Sequence, residues 1–209
     1  MVRRYLLLLF FVSMCFIITG THTAWSQAKV ENLVKNEDFE NVNDAPWTMW
    51  VEDAAAAATK TIDKKEFRTG KYSLLIDITK AGGGKRVELH QNPFNLKANQ
   101  KLIYAFWAKV DKERTANMIC NHRADPWTGY GSKAITITDV WTEFWVEVTI
   151  PANDALVGIY VELKDSVGKT WFDHFRFYEG KYIVEDLDGK PKAVESQGKV
   201  ATTWAEIKH

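Results

Sequence analysis

The stretch KRVELHQ, residues 85–91, alternates apolar and polar side chains with a period of two. Successive side chains of a β-strand point to opposite faces of the sheet, so Val87 and Leu89 are expected to face a core. The outward side chains on this strand are Arg86, Glu88 and His90. Guanidinium, carboxylate and imidazole groups all hydrogen-bond polar ligands. The stretch therefore predicts a sheet with one buried face and one polar face on which a ligand could bind.

The same period recurs along most of the chain. It is found in KYSLLIDI (71–78), QKLIYAFWAKV (100–110), ANMICNHR (116–123), KAITIT (133–138), EFWVEVTI (143–150), VGIYVELK (157–164) and KTWFDHFRFYEG (169–180). Short strands separated by Gly, Asn, Asp and Pro are typical of an all-β sandwich. The alanine run 54–58 could suggest a helix, but its flanks favour a strand.

Residues 1–28 have the pattern of a secretory signal peptide. Arg3 and Arg4 precede an apolar run of roughly 14 residues, and Ser26 and Ala28 resemble a cleavage site. Such a run is short for a membrane span, which needs about 20 residues, although an uncleaved anchor stays open. We therefore expect a secreted or cell-envelope protein, a β-sandwich domain over residues 29–180, and a charged tail or linker over residues 181–209.

Charge and cysteine content restrict the function further. Without the signal peptide, 25 of the 27 basic residues and all 27 acidic residues remain. This balance does not favour nucleic acid or an anionic membrane surface as a partner. Cys120 would be the only remaining cysteine, which excludes an internal disulfide. We interpret Cys120 as a small strand residue, and His122 and His174 lack the spacing of a zinc site.

Five segments occur in an order that resembles a known family. They are NLVKNEDFE (32–40), FRTGKYSLLIDITKAG (67–82), LIYAFWAKVD (102–111), VWTEFWVEVTIP (140–151) and WFDHFRFYEG (171–180). Together they resemble the CenC-type carbohydrate-binding modules, families 4 and 9 with their relatives, which have a galactose-binding-domain-like sandwich. The resemblance implies a jelly-roll sandwich of two antiparallel sheets, a glycan bound in a concave groove or at the loops, and a structural calcium.

The resemblance also implies which residues would bind Ca²⁺. The family's ligand positions match Glu40 and Asp173, with Asp38 nearby and a backbone carbonyl from Lys71. Calcium takes six to eight oxygen ligands, and the edge of a sandwich can supply them. Glu37 stands where the family has glycine, so it would be strained if that position needs a positive φ. The alternative is that the acidic residues at 37–40 form a solvated strand entry.

Glycan binding needs aromatic faces for stacking and planar polar groups for the hydroxyls. Candidate residues lie on outward strand positions, on the loop 123–130, and at the start of the domain. They are Trp50, Arg86, Glu88, His90, Asn121, Arg123, Trp127, Tyr130, Tyr160 and Glu162. His90 has a plainer alternative as a cross-strand polar contact. Trp107, Trp141, Trp145 and Trp171 fall inside hydrophobic patterns, so we expect them in the core.

Three functions remain open from the sequence. The first is a non-catalytic carbohydrate-binding module whose partner is a polysaccharide or oligosaccharide. The second is a glycoside hydrolase, which needs two carboxylates about 5 to 9.5 Å apart, with Glu88 and Glu162 as the candidates. The third is an architectural sandwich for protein contacts with a degenerate groove.

Overall fold

The computed structural model describes residues 30–185 and 187. The expected signal peptide, residues 1–28, and most of the expected tail lie outside these residues. Ten strands form the described part: β1 (Thr48–Val51), β2 (Ala57–Asp63), β3 (Ser73–Lys80), β4 (Arg86–Leu96), β5 (Lys101–Val110), β6 (Arg114–His122), β7 (Gly129–Ile137), β8 (Thr142–Thr149), β9 (Asp154–Lys164) and β10 (Gly168–Glu179). No helix occurs in this part of the chain, and hence none that could cross a membrane.

The strands form two antiparallel five-stranded sheets. Sheet A has the order β1-β4-β9-β6-β7, and sheet B has the order β2-β3-β10-β5-β8. The prediction of an all-β jelly-roll sandwich is confirmed. The start of the described chain lies beside the last strand, because Leu33 N donates to Phe177 O at 2.8 Å and Phe175 N donates to Glu37 O at 2.9 Å.

The alternation read from KRVELHQ sets the faces of sheet A. Val87 and Leu89 are fully buried in the core between the sheets. Glu88 points to the outer face, where it pairs in register with Trp50 of β1 and Glu162 of β9. The outer face of sheet A therefore collects the polar side chains of four neighbouring strands.

Aromatic side chains fill much of the core. Phe39, Trp47, Phe106, Phe172 and Phe175 contact one another with ring centroids 4.1 to 6.2 Å apart. Rings at these separations pack efficiently and contribute beyond their buried area. Phe39, the aromatic residue among the acidic residues at 37–40, is fully buried, so this segment is anchored to the core through its ring.

Of the four tryptophans expected in the core, Trp107 and Trp171 are buried, whereas Trp141 and Trp145 are only half-buried. Trp107, Trp145 and Trp171 alternate with residues that face the core, so they lie on the outer face of sheet B. Trp107 and Trp171 are nevertheless buried, because other parts of the chain cover them. Trp141 is half-buried just before β8. A continuous apolar pattern indicates that a strand is buried, but it does not show which of its side chains face the space between the sheets.

The alanine run divides between a turn and a strand. Ala54 and Ala55 lie in a turn held by Asp53, whose Oδ1 accepts Ala55 N at 2.9 Å, and β2 begins at Ala57. The strand interpretation is correct only for the end of the run. An aspartate side chain that accepts the amide two residues later is a common turn motif, and it explains why the strand begins late.

Candidate functional site

A hollow of about 550 Å³ opens on the outer face of sheet A. Its lining consists of Trp50, Arg86, Glu88, Asn121, Arg123, Trp127 and Tyr160, all of which are predicted site residues. They come from β1, β4, β9, β6 and the loop that follows β6. The volume falls in the usual range of small-molecule sites, roughly 300 to 1,000 Å³.

The floor of the hollow is a charged pair. Glu88 is only 2% exposed, and its Oε1 accepts a hydrogen bond from Arg123 Nη2 at 2.7 Å. Burial opposes ionisation of Glu88, but His90 and Arg123 outweigh it and hold the pKa of this carboxyl below its usual value. Glu88 is therefore an ionised acceptor at neutral pH, and Arg123 is the cation that keeps it so.

Arg123 also organises the aromatic surfaces around the floor. Its guanidinium carbon lies 4.8 Å from the ring centroid of Tyr160 and 5.6 Å from that of Trp127. Gly158 on β9 leaves the space for this side chain, because a Cβ there would lie 2.6 Å from Arg123 Cγ. Gly158 was not among the predicted site residues, since a glycine within an alternating strand gives no signal of its own.

Two exposed tryptophans border the hollow. Trp50 on β1 is 44% exposed and Trp127 on the loop is 55% exposed. β4 and β9 lie between β1 and β6, so the two rings stand on different sides of the floor. Arg86 lies 5.2 Å from the Trp50 ring, and Glu52 holds Arg86 through an ion pair of 2.9 Å. Each tryptophan thus has an arginine beside it.

One polar atom of the hollow has no partner. Asn121 is 4% exposed, and its Oδ1 is buried without a hydrogen bond. An unsatisfied buried acceptor costs roughly 1–3 kcal/mol. A hydroxyl donor from a ligand or a water molecule would remove that cost.

Three predicted binding residues do not line this hollow. Tyr130 donates to Asp154 Oδ2 at 2.8 Å. His90 lies against Glu88, with its Nδ1 3.0 Å from Oε1, so its contact is within β4. Glu162 lines a neighbouring hollow of about 310 Å³ with Asn117. Tyr130 was expected on a loop, but it lies on β7, where its ring packs against the core.

The predicted calcium residues Glu40 and Asp173 meet at one loop. Glu40 Oε1 accepts Lys71 N at 2.7 Å and Tyr72 N at 3.1 Å. Asp173 Oδ2 accepts Arg68 N at 2.8 Å and Thr69 N at 2.9 Å. Both carboxylates thus bind the stretch 68–72, and Lys71 presents its amide rather than its carbonyl to Glu40.

Burial raises the pKa of Asp173 to about 6, although the amides of Thr69, Arg68 and His174 act in the opposite direction. Asp38 Oδ1 accepts Glu40 N at 3.2 Å. Among the described residues, no group of three or more His, Cys, Asp or Glu side chains is arranged to hold a metal ion. Two carboxylates on one loop are a partial fit to calcium, which would need further oxygens from carbonyls or water.

The positive φ considered for Glu37 is found instead at Asn36 and Phe39. Asn36 has φ of 52° and Phe39 has φ of 60°, whereas Glu37 is not in the left-handed region. Asn tolerates this conformation better than most residues, and its amide is held by the carbonyls of Asn43 and Ala45. A glycine is therefore not required at position 37.

Solved structures with the same fold include three carbohydrate-binding modules. A CBM4 structure matches with 22% identity over 70% of this chain and 99% of that chain, at a TM-score of 0.56. The CBM22-1 xylan-binding domain of Xyn10C from Paenibacillus barcinonensis matches with 14% identity over 70% and 94%, at 0.53. TmCBM61 in complex with β-1,4-galactotriose matches with 17% identity over 72% and 99%, at 0.51. At these identities the likeness shows the fold.

A search of curated proteins found no match. A family model described as carbohydrate binding domain, CBM_4_9, matches residues 31–168, which is more than half of the chain. The match includes every strand of sheet A, and with it all residues that line the hollow. The chain therefore belongs to the CBM_4_9 carbohydrate-binding family.

Proposed function

We propose that this protein is a non-catalytic module that binds a glycan in the hollow on the outer face of sheet A. One observation carries the proposal: two exposed tryptophans border a polar floor that contains a buried charged pair. Concave sites that combine aromatic side chains with a few well-placed polar groups are typical of ligand binding. A pyranose ring offers an apolar face for an indole and hydroxyl groups for the floor.

The polar groups of the hollow suit hydroxyl ligands. Glu88 and Asn121 Oδ1 are acceptors, while Arg86 and Arg123 are donors with fixed planar geometry. Arg123 is held by Glu88 and lies beside the rings of Tyr160 and Trp127, so it loses little freedom when a ligand binds. The hollow thus offers both donors and acceptors to neighbouring hydroxyls.

A β-linked polysaccharide is the ligand class that we propose. Two structural neighbours support it, one being a xylan-binding domain and the other a complex with β-1,4-galactotriose. Two stacked rings at about 1 kcal/mol each and a few net hydrogen bonds near 1 kcal/mol must offset the cost of association. The expected Kd is therefore micromolar to millimolar, which suits binding through several modules at once.

The test is calorimetry against soluble β-glucans, xylans and galactans. We expect Trp127→Ala and Trp50→Ala each to weaken binding about fivefold, and Trp127→Phe to retain part of the affinity. Val140→Ala is the control, because Val140 is exposed in the turn between β7 and β8, away from the hollow. If folded wild-type protein binds none of these glycans, or if both tryptophan variants bind as wild type does, the proposal fails.

The hollow supports binding more than hydrolysis. Of its described lining residues, Glu88 alone is a carboxylate, and its lowered pKa suits an acceptor rather than a general acid. Glu162, the other candidate, borders the neighbouring hollow and lies 3.8 Å from Arg86 Nη1. Release of reducing sugar by wild type, lost in Glu88→Gln, would instead establish the hydrolase alternative.

Secretion and calcium belong to the same proposal. The N-terminal signal would direct the chain to the cell envelope or the exterior, and cleavage after Ala28 is checked by the mass of the exported protein. A Ca²⁺ ion at Glu40 and Asp173 would be structural, because both residues bind the stretch 68–72 rather than the hollow.

A further inference from the structure

The Asp154 carboxylate lies behind the loop that carries Trp127. Asp154 is the first residue of β9, and its side chain is only 8% exposed. Its oxygens accept Tyr130 Oη at 2.8 Å and Leu156 N at 2.8 Å, and His122 Nδ1 lies 2.9 Å from Oδ2. None of these groups lines the hollow.

His122 and Tyr130 are the two stems of the loop 123–128. His122 is the last residue of β6 and Tyr130 is the second residue of β7. One carboxylate therefore holds the outgoing and the returning strand of the same loop against β9. Arg123 N adds a bond to Leu156 O at 2.8 Å on the same side.

We propose that Asp154 is a positioning residue for glycan binding, which holds the loop so that Trp127 and Arg123 face the hollow. This inference rests on the proposed function of the hollow. It also changes the interpretation of Tyr130, which acts through Asp154 instead of contacting the glycan.

Trp127 depends on its loop for its position. Its side chain is 55% exposed, so the core does not fix the ring. Its backbone is in the left-handed region, with φ of 59°, which a bulky residue adopts only when its surroundings impose it. Two bonds close the loop: Trp127 N to Ala124 O at 2.6 Å and His122 N to Thr128 O at 2.9 Å.

Asp154 is suited to this task as an ionised group. Burial opposes its charge, but the Leu156 amide, His122 and Tyr130 outweigh burial and lower the pKa of the carboxyl. Burial and Asp154 together raise the pKa of Tyr130 to about 12, so the phenol keeps its proton and remains a donor. Charge-assisted hydrogen bonds of this kind are stronger than neutral ones.

A double-mutant cycle tests the inference. Asp154→Asn and Tyr130→Phe are expected to weaken glycan binding about three- to tenfold in the wild-type background. In the Trp127→Ala background the same substitutions should weaken binding by a clearly smaller factor than in the wild-type background, because only Arg123 is left for them to position. If Asp154→Asn and Tyr130→Phe change the free energy of binding by the same amount in both backgrounds, the positioning role is overturned. Asp111→Asn is the control, since Asp111 also accepts an amide, from Lys169, but precedes β6 at its other end.

Hydrogen exchange gives a second readout that needs no ligand. The amides of His122 and Trp127 are expected to exchange faster in Asp154→Asn and to stay at the wild-type rate in Asp111→Asn. Unchanged exchange at both amides would overturn the inference. If wild type binds no glycan, the proposed function fails, and hydrogen exchange still decides whether Asp154 holds the loop.

Discussion

Gly158 shows how one missing side chain shapes the hollow. It lies on β9 opposite Asn121 of β6, and the Arg123 side chain crosses above it to reach Glu88. A Cβ at position 158 would lie 2.6 Å from Arg123 Cγ and 2.8 Å from Cδ. Non-bonded carbon atoms closer than about 3 Å repel each other strongly, so Arg123 would have to move.

We predict that Gly158→Ala weakens glycan binding about tenfold while the fold remains stable, because Arg123 loses its bond to Glu88. Calorimetry measures the affinity, and thermal unfolding measures the stability. Gly129→Ala is the matched control, since a Cβ there meets nothing within 4 Å. Wild-type affinity in Gly158→Ala would mean that Arg123 reaches Glu88 by another route.

Residue types were easier to predict than residue roles. Outward alternation on β4 and β9 placed Glu88 and Tyr160 on one face, and the structure brings them together with Trp127. The roles of Gly158 and Asp154 depend on which side chain crosses which strand. That information lies in long-range pairing between β6 and β9, which a local pattern does not contain.

At the scale of elements, β5 shows how a strand that carries a tryptophan, Trp107, is buried on both faces. Its run KLIYAFWAKV is apolar on both faces, and the even-numbered positions face the core. The opposite face, which includes Ile103 and Ala105, is covered by residues of the chain after β10. A strand buried on both faces is predictable from the sequence, but the identity of its cover is not.

The covering segment, residues 181–185, is held by stacking and charge. The Tyr182 ring stacks on Trp145 with centroids 4.4 Å apart and an interplanar angle of 11°. Its hydroxyl donates to Glu143, which also pairs with the buried Arg176. Arg176 Nη1 donates to Ile183 O at 2.9 Å. Residues 181–185, expected as the start of a tail, therefore pack on sheet B.

We predict that Tyr182→Ala lowers the stability by about 2 kcal/mol, from the stacked pair and one hydrogen bond. For a domain of this size that corresponds to a fall in Tm of about 4–8 °C. Glycan affinity should not change, because the segment covers sheet B and the hollow lies on sheet A. Tyr182→Phe keeps the stacking and should recover about half of the lost stability. A Tm in Tyr182→Ala equal to that of wild type would show that the Tyr182 side chain does not stabilise the domain.

At the scale of the whole molecule, the outer faces of the two sheets differ in how far other parts of the chain cover them. The outer face of sheet A keeps exposed tryptophans around a polar floor, whereas the outer face of sheet B is covered by residues 181–185 and by the loop before β3. Arg68 of that loop lies 4.3 Å from the Trp107 ring. The same stretch, 68–72, binds Glu40 and Asp173, so its position depends on two carboxylates from opposite ends of the domain.

We predict that calcium stabilises the domain at the stretch 68–72, where Glu40 and Asp173 meet. A cation held by Glu40 and Asp173 would bind only the folded state, so saturating Ca²⁺ should raise the Tm by several degrees relative to EDTA. An ion present at 100 times its Kd stabilises by about 2.7 kcal/mol. Glu40→Gln keeps an oxygen for the Lys71 and Tyr72 amides but removes the charge, so it should abolish the calcium effect; Glu147→Gln, at an exposed position of β8, should preserve it. If wild-type Tm is the same in Ca²⁺ and in EDTA, Glu40 and Asp173 act only as acceptors for the amides of the stretch 68–72.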